Sequence, residues 1–174
     1  MGMKVLYLED RGLSIENILS GNKNRFEFKF VNTVTGIHEL LIIKEGYRTY
    51  GAVVIDLSIE MPNLTKSKII KRIPEFNIEG IPTVCAGNIP LYGYDYYRLV
   101  LIKHEEIKNS FINKGRIIIF SGHAAKARTE GLYNETMEIF INTPLIDRAA
   151  LNATNELFSK LAVIEKNLQP TGGS

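Results

Sequence analysis

The stretch "YGAVVIDLSIEMPN", residues 50–63, carries four apolar residues, Ala52, Val53, Val54 and Ile55, that stop on a carboxylate at Asp56. A largely β-branched run bounded by Gly51 before it and by Pro62 and Asn63 after it predicts a strand covered on both faces, the habit of parallel sheets. Asp56 then stands at the carboxyl end of that strand, the edge at which open α/β sheets bind ligands. An aspartate there also serves as a strand terminator and helix cap. The stretch by itself leaves both uses open.

The same alternation continues outward on both sides. "MKVLYL" (3–8) reads as a first strand, followed by Glu9 and Asp10. "LSIENILSG" (13–21) is a short helix with Ser14 as its cap and Gly21 at its end. "RFEFKFVNT" alternates Phe26, Phe28 and Phe30 with charged residues, which predicts a strand with one wetter face near a sheet edge. "TVTGIHELLIIKEG" (33–46) places Ile37, Leu40 and Leu41 on one helical face, with Gly46 as a stop. After Asp56 the pattern loosens over 58–92, where "TKSKIIKRI" suggests a short basic helix, "IPTVCAG" a short strand and "NIPLYG" a turn. "YDYYRLVLIKHEEIKNSF" (94–111) reads as one helix, "GRIIIFSGH" as a buried strand ending on Ser121, and "AAKARTEGL" as a helix. "MEIFIN" (137–142) reads as the last strand, closed by Thr143 and Pro144. Residues 144–168 carry Ile146, Ala150, Ala153, Leu157, Leu161, Ile164 and Leu168 at helical spacing, a terminal helix with one apolar stripe. Strands and helices in alternation predict an α/β fold with a doubly wound parallel sheet.

With 174 residues, 23% charged and 45% apolar, the chain fits one soluble domain over 3–168, with a flexible tail at 169–174. A net charge of +2 implies no broad nucleic-acid footprint. One cysteine, Cys85, excludes an internal disulfide, and His38, His104 and His123 are too scattered to suggest a zinc site. No apolar run reaches the length of a membrane span and the N-terminus lacks a signal-peptide plan, so a cytoplasmic protein is expected.

Three predicted strands end on polar groups: Glu9 and Asp10, Asp56, and Ser121. In a parallel sheet these ends share one edge, which gives an acidic pocket with a hydroxyl at its rim. Clustered carboxylates repel, and burial makes this worse. A hard divalent cation resolves the conflict, and Mg²⁺ takes a few carboxylates together with waters and phosphoryl oxygens.

"VLYLEDRGLS", "AVVIDLSIEMP", "IIIFSGHAA" and "IFINTP" resemble, in order and context, the bacterial response-regulator receiver domain. The resemblance covers most of 3–168 and implies a flavodoxin-like fold with an insertion after the third strand, at 58–92. It implies that Glu9 and Asp10 hold Mg²⁺ with Asp56 and the main-chain carbonyl of Ser58. Asp56 would accept a phosphoryl group from a histidine kinase or phosphotransfer protein. Ser121 would close over it as a latch, and Phe140 would be the aromatic that changes rotamer. With no room expected for an attached output domain, a downstream protein partner is implied, a homodimer is possible, and nucleic acid is not expected.

Two departures from the family stand out. Its usual lysine position, before the final proline, holds Thr143, a neutral hydroxyl. Lys126 is the nearest cation by sequence that could replace it. The separation of Asp56 and Ser121 also exceeds the family's, so two alignments compete: either the surplus precedes the helix at 94–111, or "IPTVCAG" is the fourth strand and Ala86 takes the latch position.

Plainer readings accompany each residue. Glu9 and Asp10 suit a helix start, Ser121 a cap, Phe140 a core position and His123 a solvated loop. Lys66, Lys68, Lys71 and Arg72 form either an acidic-partner or nucleic-acid contact or a solvated face. Tyr92, Tyr94, Tyr96 and Tyr97 mark either an interaction surface or internal packing, and Cys85 is expected to be buried and inert. Two rival functions remain: a pseudo-receiver that binds partners without phosphotransfer, and an enzyme that cradles a substrate phosphate in "SGHAAK". The chain has neither a Walker-type loop nor a GxGxxG motif.

Overall fold

In a computed structural model, which describes residues 2–10, 19, 25–59, 71–76 and 83–169, five parallel strands form one sheet. They are β1 (Met3–Leu8), β2 (Phe26–Val31), β3 (Ala52–Ile55), β6 (Ile117–Ser121) and β7 (Leu145–Asp147), in the spatial order β2-β1-β3-β6-β7. Counted along the chain, the sheet strands run second, first, third, fourth, fifth, the flavodoxin-like order whose switch point lies between β1 and β3. The register sets Leu8 beside Ile55, Ile55 beside Ile119, and Ser121 beside Asp147. The four carboxyl ends therefore line up.

All four residues of β3 are buried, as the opening run implies. Val53 and Ile55 face one core with Leu6, Leu8, Ile117 and Ile119; Ala52 and Val54 face a second core with Val5, Tyr7, Ile118 and Ile146. Helices cover both faces, because an uncovered apolar sheet face would forfeit about 2 kcal/mol for each buried branched side chain. The first core takes α1 (Val34–His38), α2 (Tyr92–Leu99), α3 (Glu105–Ile107) and α4 (Ala124–Thr129). The second takes α5 (Ala153–Leu168) through Leu157, Leu161 and Ile164. Thr33 caps α1 by accepting a hydrogen bond from the Gly36 amide at 3.1 Å. The helix then continues as a π turn over Glu39–Ile43. On β2, Phe26 is buried and Glu27 exposed, the wetter edge strand its alternation predicts.

Several elements differ from the expectations. The strand predicted at 137–142 does not form: Glu138–Phe140 is a 3-10 turn, and the last strand is Leu145–Asp147, beyond Pro144. Pro144 needs no amide there, since its carbonyl accepts from the Ile119 amide at 2.9 Å. Ile146 consequently packs from the sheet, and the terminal helix begins at Ala153. The helix predicted at 94–111 is broken. α2 ends at Leu99, a 3-10 turn spans Leu101–Lys103, and His104 is extended before Glu105 and Glu106 open α3. Acidic residues in a first turn suit a helix start better than an interior. Cys85 is exposed, in a hairpin between β4 (Cys85–Ala86) and β5 (Ile89–Pro90) that is separate from the sheet. The strand beside β3 is β6, so Ser121 and not Ala86 ends the fourth sheet strand.

Tyr94, Tyr96 and Tyr97 are buried, which makes the tyrosine run packing and not surface. Lys71 and Arg72 are exposed; Lys66, Lys68, Ser14 and Gly21 lie outside the described residues. Among the described residues no helix is long and apolar enough to cross a membrane.

One close approach ties α2 to the end of β3. The Gly93 amide donates to the Leu57 carbonyl at 3.0 Å, and a Cβ at Gly93 would stand 1.9 Å from the Asp56 carbonyl oxygen. Backbone on both sides leaves nothing to yield. Gly93→Ala should therefore lower stability in urea unfolding by about 3 kcal/mol. Gly131→Ala, at φ +70 with nothing within 4 Å, should cost only about 1 kcal/mol. Equal losses at the two positions would contradict the packing account.

A candidate acidic site at the carboxyl edge

Each strand delivers its last polar residue by extending the parallel ladder one step. The Glu9 amide donates to Val31 O at 2.9 Å, the Asp56 amide to Leu8 O at 3.0 Å, and the Arg148 amide to Ser121 O at 3.0 Å. Glu9, Asp56 and Ser121 are buried, and Asp10 is half-buried. Glu9, Asp10 and Asp56 each offer a carboxylate oxygen, all within 4.8 Å of one another. A group of this kind can hold a metal ion.

Asp56 is engaged on both oxygens. Its Oδ1 accepts from the Ser121 hydroxyl at 2.6 Å and from the Ser58 amide at 3.3 Å. Its Oδ2 faces Arg148 Nη1 at 3.1 Å. The same Nη1 makes a short ion pair with Glu9 Oε2, so one guanidinium nitrogen bridges two carboxylates. Ser121 Oγ in turn accepts from the His123 amide at 3.2 Å. Gly122 lies beside Arg148, where a Cβ would come 3.6 Å from Nη2.

Burial is the largest influence on Asp56 and pushes its pKa up. Arg148, Ser121 and the Ser58 amide pull it back, and Asp10 adds to the rise. Burial works against the Arg148 cation, yet Asp56 and Glu9 outweigh it and hold its pKa above the ordinary value. Tyr7, fully buried on β1, is held well above the usual phenol range, first by burial and then by Glu9 and Asp56.

The structure thus brings Glu9, Asp10, Asp56 and Ser121 together, with Ser58 contributing its amide to Asp56. It places Phe140 and Thr143 elsewhere. Thr143 Oγ1 pairs with the Tyr97 hydroxyl at 2.9 Å, and its carbonyl accepts from Tyr133 at 2.9 Å. Phe140 stacks on Tyr97 with centroids 5.5 Å apart and packs against Tyr133. Both positions were tied to a strand over 137–142 that is absent. Lys126 lies away from Asp56, against the Gly87 turn and 3.7 Å from Glu130. The cation that faces Asp56 is Arg148, immediately after β7. Its signal in the sequence is "LIDR", a short apolar pair ending on polar residues just as β1 and β3 do, masked by the helical spacing over 144–168.

Next to the acids, a cleft of about 520 Å³ opens between β2 and α1, lined by Asp10, Lys29, Asn32 and Glu39 among others. The chain matches no protein-family model, no curated protein and no solved structure.

A raised Asp56 pKa in the folded state means that ionisation of this group works against folding above that pKa. The burden disappears once the pH falls below the unfolded value near 4. In chelator at pH 7, Asp56→Asn should accordingly melt at a higher temperature than the wild type, with the margin shrinking as the pH is lowered towards about 4. A lower melting temperature for the variant at pH 7 would show that Arg148 and Ser121 outweigh burial.

Proposed function

We propose that this chain is a receiver-like signalling domain in which Asp56 accepts a phosphoryl group. The observation that carries this reading is the Arg148 bridge, a half-buried cation on the fully buried Asp56, just after the last sheet strand. It supplies the positive charge that Thr143 cannot. The donor would be a phosphohistidine on a kinase or phosphotransfer protein, which places the reading in the cytoplasm. Residues 58–92 are then an insertion after β3, and output passes to a protein partner.

The chemistry asks little of the protein beyond alignment and charge. An Asp56 oxygen attacks phosphorus, the bond from phosphorus to the donor's imidazole nitrogen breaks, and the imidazole leaves with the electron pair and takes up a proton. Water later attacks the aspartyl phosphate and returns the carboxylate and inorganic phosphate. Ser121, whose hydroxyl now donates to Asp56 Oδ1, would donate to a phosphoryl oxygen instead, which makes it a two-state latch. Arg148 would offset part of the phosphoryl charge through charge-assisted hydrogen bonds.

Glu9, Asp10 and Asp56 suit Mg²⁺. Their donors are all hard oxygens, and the half-buried Asp10 leaves a side open to water. When bound, the ion would neutralise charge spreading over the transferred group. The full engagement of Asp56 by Ser121, Ser58 and Arg148 favours a second reading, a pseudo-receiver that keeps the site closed and acts by binding alone.

Acetyl phosphate and Mg²⁺, followed by an acid quench and intact mass, separate the two. The proposed function predicts a gain of one phosphoryl group that is abolished in Asp56→Asn. In Ser121→Ala the gain should form about tenfold more slowly, the loss of one charge-assisted hydrogen bond. No gain in the wild type would leave the pseudo-receiver.

A further inference from the structure

The bridging nitrogen of Arg148 occupies the ground that a metal ion would need. Glu9 and Asp56 have side-chain exposures of 0% and 1%, whereas Asp10 beside them is half-buried. A hard cation ligated by both carboxylates would sit about 2.1 Å from each oxygen. Arg148 Nη1 already stands between those two carboxylates, paired with Glu9 and 3.1 Å from Asp56 Oδ2. A dication and a guanidinium sharing a bridge between two buried carboxylates repel, and burial leaves that repulsion weakly screened.

We infer that Arg148 is a built-in competitor of the divalent cation. Without metal, its guanidinium neutralises Glu9 and Asp56; metal entry requires it to leave that bridge. This inference deepens the phosphoacceptor reading and takes its purpose from it. One further feature supports it. Arg148 is the most exposed partner of the three, with 16% side-chain exposure against 0% and 1%, a long stem, and Gly122 alongside it in place of a bulkier residue. The buried Tyr7 hydroxyl on β1 also interacts with Arg148, so the guanidinium has a polar neighbour besides the two carboxylates.

The arrangement gives the site an order of events. Metal binding frees a guanidinium whose planar fork suits phosphoryl oxygens, so the group that holds the resting site closed becomes a contact for the incoming phosphoryl group. A permanently charged side chain also keeps metal affinity low until the cation concentration is high enough to displace it.

Mn²⁺ binding, followed through the free-ion electron paramagnetic resonance signal, tests this with no phosphodonor present. Arg148→Gln should bind about tenfold more tightly than the wild type, and Arg148→Lys, a point charge less able to bridge, should fall between them. Equal or weaker binding in Arg148→Gln overturns the inference, as does the absence of binding in both proteins. Should Arg148→Gln fail to fold, the wild type decides. Mg²⁺ should shift and sharpen the Arg148 side-chain resonances as the bridge opens, and unchanged resonances at saturating metal overturn the inference. If the affinity gain holds and phosphorylation fails, only the proposed function is lost; phosphorylation with unchanged affinity removes only the competition.

Discussion

The neutralisation of one fully buried carboxylate is the constraint around which this sheet edge is built. Asp56 follows four buried apolar residues and has no exposure of its own. An ionised carboxylate in such a place is tolerated only when paired and hydrogen-bonded. Here the pair comes from β7, a hydroxyl from β6 and an amide from the chain just beyond β3. None of these partners is near Asp56 in sequence except Ser58, so the site exists only when β3, β6 and β7 are in parallel register. The same register assembles both cores. Site and fold therefore depend on a single set of strand pairings.

The site is also fastened to the helical layer. The Gly93 and Tyr94 amides donate to Leu57 O at 3.0 and 3.4 Å, which docks the start of α2 on the residue after Asp56. Further along the same helix, Tyr97 reaches Ile139 O and Thr143 Oγ1, and stacks on Phe140. α2 thus touches the acidic edge at its start and the 138–144 segment further on. These contacts link the two places in a single arrangement, and coupling along them would need a second arrangement of the same contacts.

Much of this was legible in the chain. A buried run such as Ala52–Ile55 has one structural outcome, and carboxylates or a hydroxyl at the ends of three such runs have one shared edge in a parallel sheet. Glu9, Asp10, Asp56 and Ser121 follow from that alone. What was lost turned on short elements. β7 has three residues, Leu145–Asp147, too few to show a period, and Pro144 before it reads as a terminator. "MEIFIN" offers more β-branched and aromatic character, yet Phe140 is claimed by Tyr97 and Tyr133, a tertiary preference that local pattern does not carry. Moving the last strand by a few residues moved its polar end from Thr143 to Asp147 and Arg148, and the cation was missed with it.

That displacement changes the chemistry as well as the numbering. A lysine is a compact point charge that serves one carboxylate well, whereas a guanidinium presents several donors in a fixed plane and remains charged when desolvated. Between Glu9 and Asp56, both out of contact with water, the guanidinium is the cation that burial neutralises less readily. Its burial alone would lower the Arg148 pKa, and the two carboxylates reverse the direction. The acids hold the cation charged, and the cation offsets the repulsion between them. Thr143 is free of that duty and spends its hydroxyl on Tyr97, at the side of the molecule where the last strand was expected and a packed turn stands instead.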